Sequence, residues 1–127
     1  MKILNLEDNV FKHRDIIKAL ARGSFGKNEI DWVRNLEDGI AKIKEHIELG
    51  ENYDLIITDM WYPEFPGGSD ADSGEKLIAI SKENGWSAPI ILCSSVNYHF
   101  PGILGAVHYS ENEDWEEQLV ELIRRIV

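Results

Sequence analysis

Cysteine is almost missing: Cys93 is the only one, so no disulfide can form within the chain. It lies in the apolar run Ala88-Pro89-Ile90-Ile91-Leu92-Cys93, where a free thiol acts as a small hydrophobe. Nothing in that run offers a base to activate a catalytic thiol. Positive charge is also short: 13 lysines and arginines face 23 aspartates and glutamates, a net charge of −10. That balance argues against DNA or RNA binding, which needs a basic patch to neutralise phosphates. It suits a well-solvated surface and a basic or neutral protein partner. No apolar stretch approaches the ~20 residues needed to cross a bilayer. Lys2, Glu7 and Asp8 interrupt the first residues, where a secretory leader would be apolar, so a cytoplasmic location is expected. His13, His46, His99 and His108 show no metal-ligand spacing with cysteine and read as structural or surface residues.

What is present is an alternation. Residues 3–6 read as a strand and residues 10–22 as a helix, with Asn9 as N-cap and Gly23 past its end. Residues 29–33 alternate weakly, as an edge strand does. Leu36, Ile40, Ile43 and Ile47 recur at helical spacing before Gly50. Residues 54–58 form a third strand. A loop rich in Pro, Gly, Ser and Asp covers 63–73, and a helix follows Ser73-Gly74 and ends near Gly85. Residues 89–93 and 105–109 are further strands. Trp115, Leu119, Leu122 and Ile126 mark a last helix whose stripe is core packing. Strands and helices in alternation imply one α/β domain, residues 1–127, built on a parallel sheet.

The chemistry-bearing residues fall at strand ends. Asp59 closes Tyr53-Asp54-Leu55-Ile56-Ile57-Thr58-Asp59, and Glu7-Asp8 follow Lys2-Ile3-Leu4-Asn5-Leu6. Continuous apolar runs of this kind are strands buried on both faces. In open α/β sheets the functional crevice lies beyond the strands' carboxyl ends. Three carboxylates gathered there repel one another unless a cation joins them, which suggests a Mg²⁺ site with a nucleophilic aspartate. Taken alone, Asp59 could simply cap a loop, Ser94 could be a turn residue and Tyr109 plain core.

Taken together and in order, these features resemble the receiver domain of two-component response regulators over nearly the whole chain. Glu7-Asp8 matches the acidic pair, Asp59 the phosphoacceptor, and Pro63 the Asp-x-x-x-Pro loop. Ser94 matches the Ser/Thr switch position, and Gly105-Ala106-Val107-His108-Tyr109 the Gly-Ala-x-x-Tyr segment with its switch aromatic. The resemblance implies a flavodoxin-like doubly wound (βα)5 fold with a central parallel five-stranded sheet in strand order 2-1-3-4-5. It implies Mg²⁺ held by Asp8, Asp59 and the Trp61 backbone carbonyl, with Glu7 acting through water. It further implies phosphoryl transfer to Asp59 from a sensor histidine kinase or phosphotransfer protein. The 127 residues leave no room for an output domain, so signalling through an unidentified downstream protein is expected, without enzyme activity.

Three departures stand out. Where the family carries Lys-Pro after the fifth strand, this chain has Asn112-Glu113, and no lysine follows Lys82. Asparagine cannot neutralise charge, so the acid cluster is expected to be less compensated; Asn112 could instead cap the last helix. The loop after Pro63 is long. Its Asp70 and Asp72 could reach the metal, but a mobile, solvated loop is the preferred reading. Pro101-Gly102 lies in the short stretch where the family has its fourth helix, which is therefore expected to be shortened or absent. Tyr98, Phe100 and Ile103 would then be a partner site or would fold back into the vacated space. These departures keep a second function open: a pseudo-receiver that acts as an interaction module without phosphorylation. A haloacid-dehalogenase-type phosphatase is disfavoured, because the second aspartate it needs falls at Trp61.

Overall fold

The computed structural model describes every residue except Ser24. Eleven elements follow one another: β1 (Lys2–Leu6), α1 (Val10–Arg22), β2 (Glu29–Val33), α2 (Leu36–Glu48), β3 (Leu55–Thr58), β4 (Tyr62–Pro63), β5 (Asp70–Ala71), α3 (Ser73–Asn84), β6 (Ile90–Ser94), β7 (Gly105–His108) and α4 (Trp115–Arg124). Five strands form one parallel sheet in the order β2-β1-β3-β6-β7. This is the flavodoxin-like arrangement, and the order 2-1-3-4-5 expected from the sequence holds once the two short strands β4 and β5 are set apart.

The two-residue period of the strands divides the core in two. Ile3, Leu55, Ile57, Ile91, Cys93 and Val107 face α1 and α4, where they meet Ile16, Leu20, Leu119 and Ile123. Leu4, Leu6, Ile56 and Ile90 face α2 and α3, where they meet Leu36, Ile43, Leu77 and Ile78. Two helix ends show how the sequence provides for them. The Asn9 side chain accepts from the backbone N–H groups of Phe11 and Lys12 at 2.9 and 3.1 Å and opens α1. Gly85 ends α3 at φ +64°, a left-handed conformation that glycine adopts without a steric cost.

Between β6 and β7 no helix forms among the described residues. Gly102 turns the chain at φ +81°, and Lys82 Nζ holds the Pro101 carbonyl at 2.8 Å. Phe100 and Ile103 fold back against the core on the α2/α3 side, so the first of the two sequence alternatives is not what they do. Two expectations need correction. The 63–73 segment is not a loose loop, because Tyr62 and Pro63 pair antiparallel with Ala71 and Asp70, and Ser73 Oγ donates to the Tyr62 carbonyl. Asn112 does not cap the last helix either: Asp114 does, accepting from Glu117 N. Ile126 lies just beyond that helix but still packs on the core.

Cys93 is fully buried, and burial pushes its thiol up to about 12. The folded protein should therefore resist a thiol-specific disulfide reagent at pH 8 and react with one equivalent only after denaturation. Because the unfolded thiol ionises near 9 and the native one does not, this group's share of the stability is complete below pH ~9 and falls as pH rises toward 12. Fast labelling of the native protein would contradict the burial.

Candidate functional site

The strand period that sorts the core also aims the acids. Glu7 continues the Ile3–Asn5 side of β1, and Asp59 continues the Leu55–Ile57 side of β3, so both project toward the α1 face. β1 and β3 are adjacent parallel strands, with Leu6 paired to Thr58. Carboxylate oxygens of Glu7, Asp8 and Asp59 come within 4.8 Å of one another. They sit in an open cleft of about 560 Å³ beyond the strand ends, with Trp61, Asp70, Ser94 and Tyr109 in its walls. The carboxylates, Trp61, Ser94 and Tyr109 singled out from the sequence thus share one cleft. Asn112 is apart from them, exposed, with its N–H on Ser110 Oγ at 3.2 Å.

The backbone around the acids is held from two sides. Asp59 N donates to the Leu6 carbonyl at 3.0 Å, and one Asp59 carboxylate oxygen accepts from Met60 N at 2.8 Å. From β2, Trp32 Nε1 donates to the Glu7 carbonyl at 2.6 Å; beyond it, Arg34 donates to the Asp8 carbonyl at 2.7 Å. The Trp32 ring stacks on His13 at 4.1 Å. Asn5 gives its amide N–H to the Ile57 carbonyl at 3.0 Å, so its oxygen accepts from His13 Nδ1 at 2.7 Å. This buried polar chain ties β2, α1, β1 and β3 together directly beneath the acids.

Lys12 occupies the place the sequence left without a cation. Its Nζ lies 2.9 Å from Glu7 Oε1 and 3.1 Å from Asp59 Oδ1, and it donates to the Cys93 carbonyl at 2.7 Å. The ammonium is buried. The expectation of a less compensated cluster is therefore corrected in one respect: a cation is supplied, from α1 and not from the segment after β7. Burial opposes the Lys12 charge, yet its surroundings, the Glu7 and Asp59 carboxylates among them, outweigh it and hold the ammonium above its ordinary value. Glu7 is only 1% exposed. Burial pushes its carboxyl up to about 7 against the pull of Lys12, and Asp59 adds to the rise. Burial first, and then the Asp70 carboxylate, also raises Asp8. Asp70 belongs to the rim of this cleft because the β4–β5 pairing places it there.

Ser94, the last residue of β6, is buried, and its hydroxyl accepts from Val96 N at 3.3 Å. Tyr109 N donates to the Ser94 carbonyl at 2.7 Å. The Tyr109 ring already points inward: its hydroxyl donates to Asp15 of α1, Trp115 packs on its edge, and Lys12 Nζ lies 5.4 Å from its centre. Sequence reading missed Lys12, Trp32, Arg34 and Asp15. For Lys12 there was a signal, since it lies four residues before Ile16 and seven before Ala19 on the buried stripe of α1.

No protein-family model matches the sequence, and no curated protein matches it. Solved structures do. The phosphorylated cyanobacterial phytochrome response regulator RcpA is 23% identical over 98% of this chain and 89% of its own, with a TM-score of 0.69. The Mn²⁺-bound form of the response regulator Rcp1 is 18% identical over 98% of this chain and 90% of its own, at 0.67. The receiver domain of the Arabidopsis thaliana histidine kinase CKI1 is 17% identical over 98% of this chain and 88% of its own, at 0.62. The fold is that of response-regulator receiver domains. At these identities the likeness is one of backbone architecture, and what the cleft does has to be argued from its own side chains.

Behind Asp59 one position has only a hydrogen atom for a side chain. A Cβ on Gly74, in the first turn of α3, would stand 2.3 Å from the Asp59 carbonyl oxygen and 2.8 Å from Met60 Cα. Both are backbone atoms with little freedom to give. Gly74→Ala should therefore cost about 1–3 kcal/mol in urea unfolding. It should also shift the Asp59 amide resonances, which an ordinary solvent-facing helix alanine would leave in place.

Proposed function

We propose that this chain is a phosphoryl-accepting receiver that signals by protein contact, with Asp59 as the acceptor. The observation that carries the reading is the placement of Asp59 at the end of a central strand, in one open cleft with Glu7, Asp8 and a buried ammonium. A carboxylate is a weak nucleophile, so the work lies in positioning and in stabilising charge. An Asp59 oxygen forms a bond to the phosphorus of a phosphohistidine as the P–N bond breaks, and the imidazole leaves to take up a proton. The hydroxyl of Ser94 lies in the same cleft; it accepts from Val96 N, which leaves its O–H free to donate to the new phosphoryl oxygens.

The donor set fits a hard divalent cation. Three carboxylates and one ammonium leave the cluster with negative charge in excess when all are ionised. The buried Glu7 Oε1 lies beside Lys12 Nζ but accepts no hydrogen bond in line. Asp8, Asp59 and the Trp61 carbonyl would hold Mg²⁺, with Glu7 acting through water. The ion would offset the charge of the phosphoryl group as it arrives and orient its oxygens. The donor would be a sensor histidine kinase or phosphotransfer protein. The chain would act as a signalling module and not as an enzyme, since Trp61 stands where a dehalogenase-type phosphatase needs its second aspartate. Among the described residues no helix is long and apolar enough to cross a membrane.

A second reading, a pseudo-receiver that binds partners without phosphorylation, is favoured by the missing helix between β6 and β7 and by Asn112. One experiment separates the two. With Mg²⁺ and acetyl phosphate, intact-mass measurement should show one added phosphoryl group, lost in Asp59→Asn. Intrinsic fluorescence should respond to Mg²⁺, and Trp61→Phe should remove most of that response. An absence of adduct with acetyl phosphate, a kinase and beryllofluoride alike selects the pseudo-receiver.

A further inference from the structure

We infer that Lys12 is the cation that binds the phosphoryl group on Asp59, reaching it from α1; this rests on the receiver reading above. An ammonium has three protons to place and no acceptor of its own. Lys12 Nζ has three oxygens around it: the Cys93 carbonyl at 2.7 Å, Glu7 Oε1 at 2.9 Å and Asp59 Oδ1 at 3.1 Å. The carbonyl is a fixed anchor, because β6 carries it in the sheet. The two carboxylates are the exchangeable partners. Among the described residues no other lysine or arginine side chain lies within 4.0 Å of the Glu7, Asp8 or Asp59 carboxylates.

The anchor also sets the direction. Cys93 immediately precedes Ser94, so the ammonium and the Ser94 hydroxyl approach Asp59 from the same strand end. A phosphoryl group on Asp59 adds roughly one further negative charge and new acceptor oxygens. Those oxygens arise where Asp59 Oδ1 now receives Lys12, so the pairing passes from carboxylate to phosphoryl without a large movement. The surroundings are dry enough for that pairing to count, since Lys12 is buried beneath the Tyr109 ring. Asn112, exposed and bonded through its N–H to Ser110 Oγ, has no part in it.

The inference carries a sign that a merely structural lysine would not show. Lys12 contacts two of the oxygens that would serve Mg²⁺, and its charge repels the ion. Removing that charge should leave Mg²⁺ binding unchanged or tighter, while phosphoryl and beryllofluoride binding weaken.

The test uses the full chain as wild type, Lys12→Met and Lys12→Gln. Far-UV circular dichroism and melting with Mg²⁺ present establish that each variant is folded. The glutamine variant retains a donor for the Cys93 carbonyl and carries the test where methionine does not fold. Calorimetric titration with Mg²⁺ gives the metal affinity. Intact mass after acetyl phosphate gives the adduct, and beryllofluoride titration of the fluorescence gives the affinity for the phosphoryl mimic. The expected result is a loss of about tenfold or more in beryllofluoride affinity and adduct yield, as for removal of a hydrogen bond to a charged group, at undiminished Mg²⁺ affinity. Loss of both affinities together assigns Lys12 a structural role and overturns the inference, as does an unchanged adduct yield. Failure of the wild type itself to form an adduct is a different outcome: it overturns the receiver reading, and this one with it.

Discussion

Taking an ammonium out of water costs several kcal/mol, and the cost is offset only when the charge is paired and hydrogen-bonded. Lys12 donates to a strand carbonyl and pairs its charge with two carboxylates that would otherwise repel each other. The dependence runs both ways. Without Lys12, Glu7 would be a buried carboxylate beside a second carboxylate with nothing between them. Without Glu7 and Asp59, Lys12 would be an unpaired charge on the apolar stripe of α1. These ion pairs therefore add to the hold that Ile16, Ala19 and Leu20 give α1 on the sheet, at the end of the helix nearest the cleft.

The rest of the site is arranged to keep that geometry stiff. Parallel strands β1 and β3 deliver Glu7 and Asp59 side by side because their registers differ by no more than a pairing of Leu6 with Thr58. β2 contributes no acid to the cleft, but its Trp32, and Arg34 just beyond it, hold the carbonyls of Glu7 and Asp8 and so resist relaxation of the acidic turn away from its own repulsion. On the other side α3 presses its first turn onto the Asp59 carbonyl, an approach possible only because residue 74 has no side chain. A repulsive cluster held in a rigid frame is suited to accepting a cation or a phosphoryl group, since little reorganisation is left to be done on binding.

How much of this the sequence discloses depends on the range of the interaction. Strand ends, helix caps and the placement of Asp59, Glu7 and Asp8 follow from local patterns, and Pro101-Gly102 is sufficient to forecast the lost helix. Lys12 is legible only in part. Its position on the inward stripe of α1 is visible, but its pairing with a residue 47 places away in the chain depends on how a helix crosses a sheet. The β4–β5 pairing escaped for a related reason: Tyr62-Pro63 and Asp70-Ala71 are too short to carry a strand period, and the glycines between them look like disorder when read alone. Arg34 and Trp32 act through backbone carbonyls, which leave no trace in any pattern of side chains.

The two departures that look like losses are filled by opposite means. Where the helix between β6 and β7 is missing, Phe100 and Ile103 occupy the space with apolar surface, and the core closes without it. Where the lysine after β7 is missing, the charge is replaced from the other side of the cleft. The second substitution changes more than position. A cation on the segment after β7 would tie the cleft to β7 and α4, whereas Lys12 ties it to α1, which also holds the Tyr109 hydroxyl through Asp15. On the receiver reading proposed above, a change of charge at Asp59 would act first on α1 and on the aromatic pair Tyr109–Trp115 beside it. The β6–β7 segment forms no helix among the described residues and has two side chains committed to the core, so on the same reading it would respond less. Among the described residues Lys12 is the one buried ammonium, and its root in the first helix is what couples the cleft to α1.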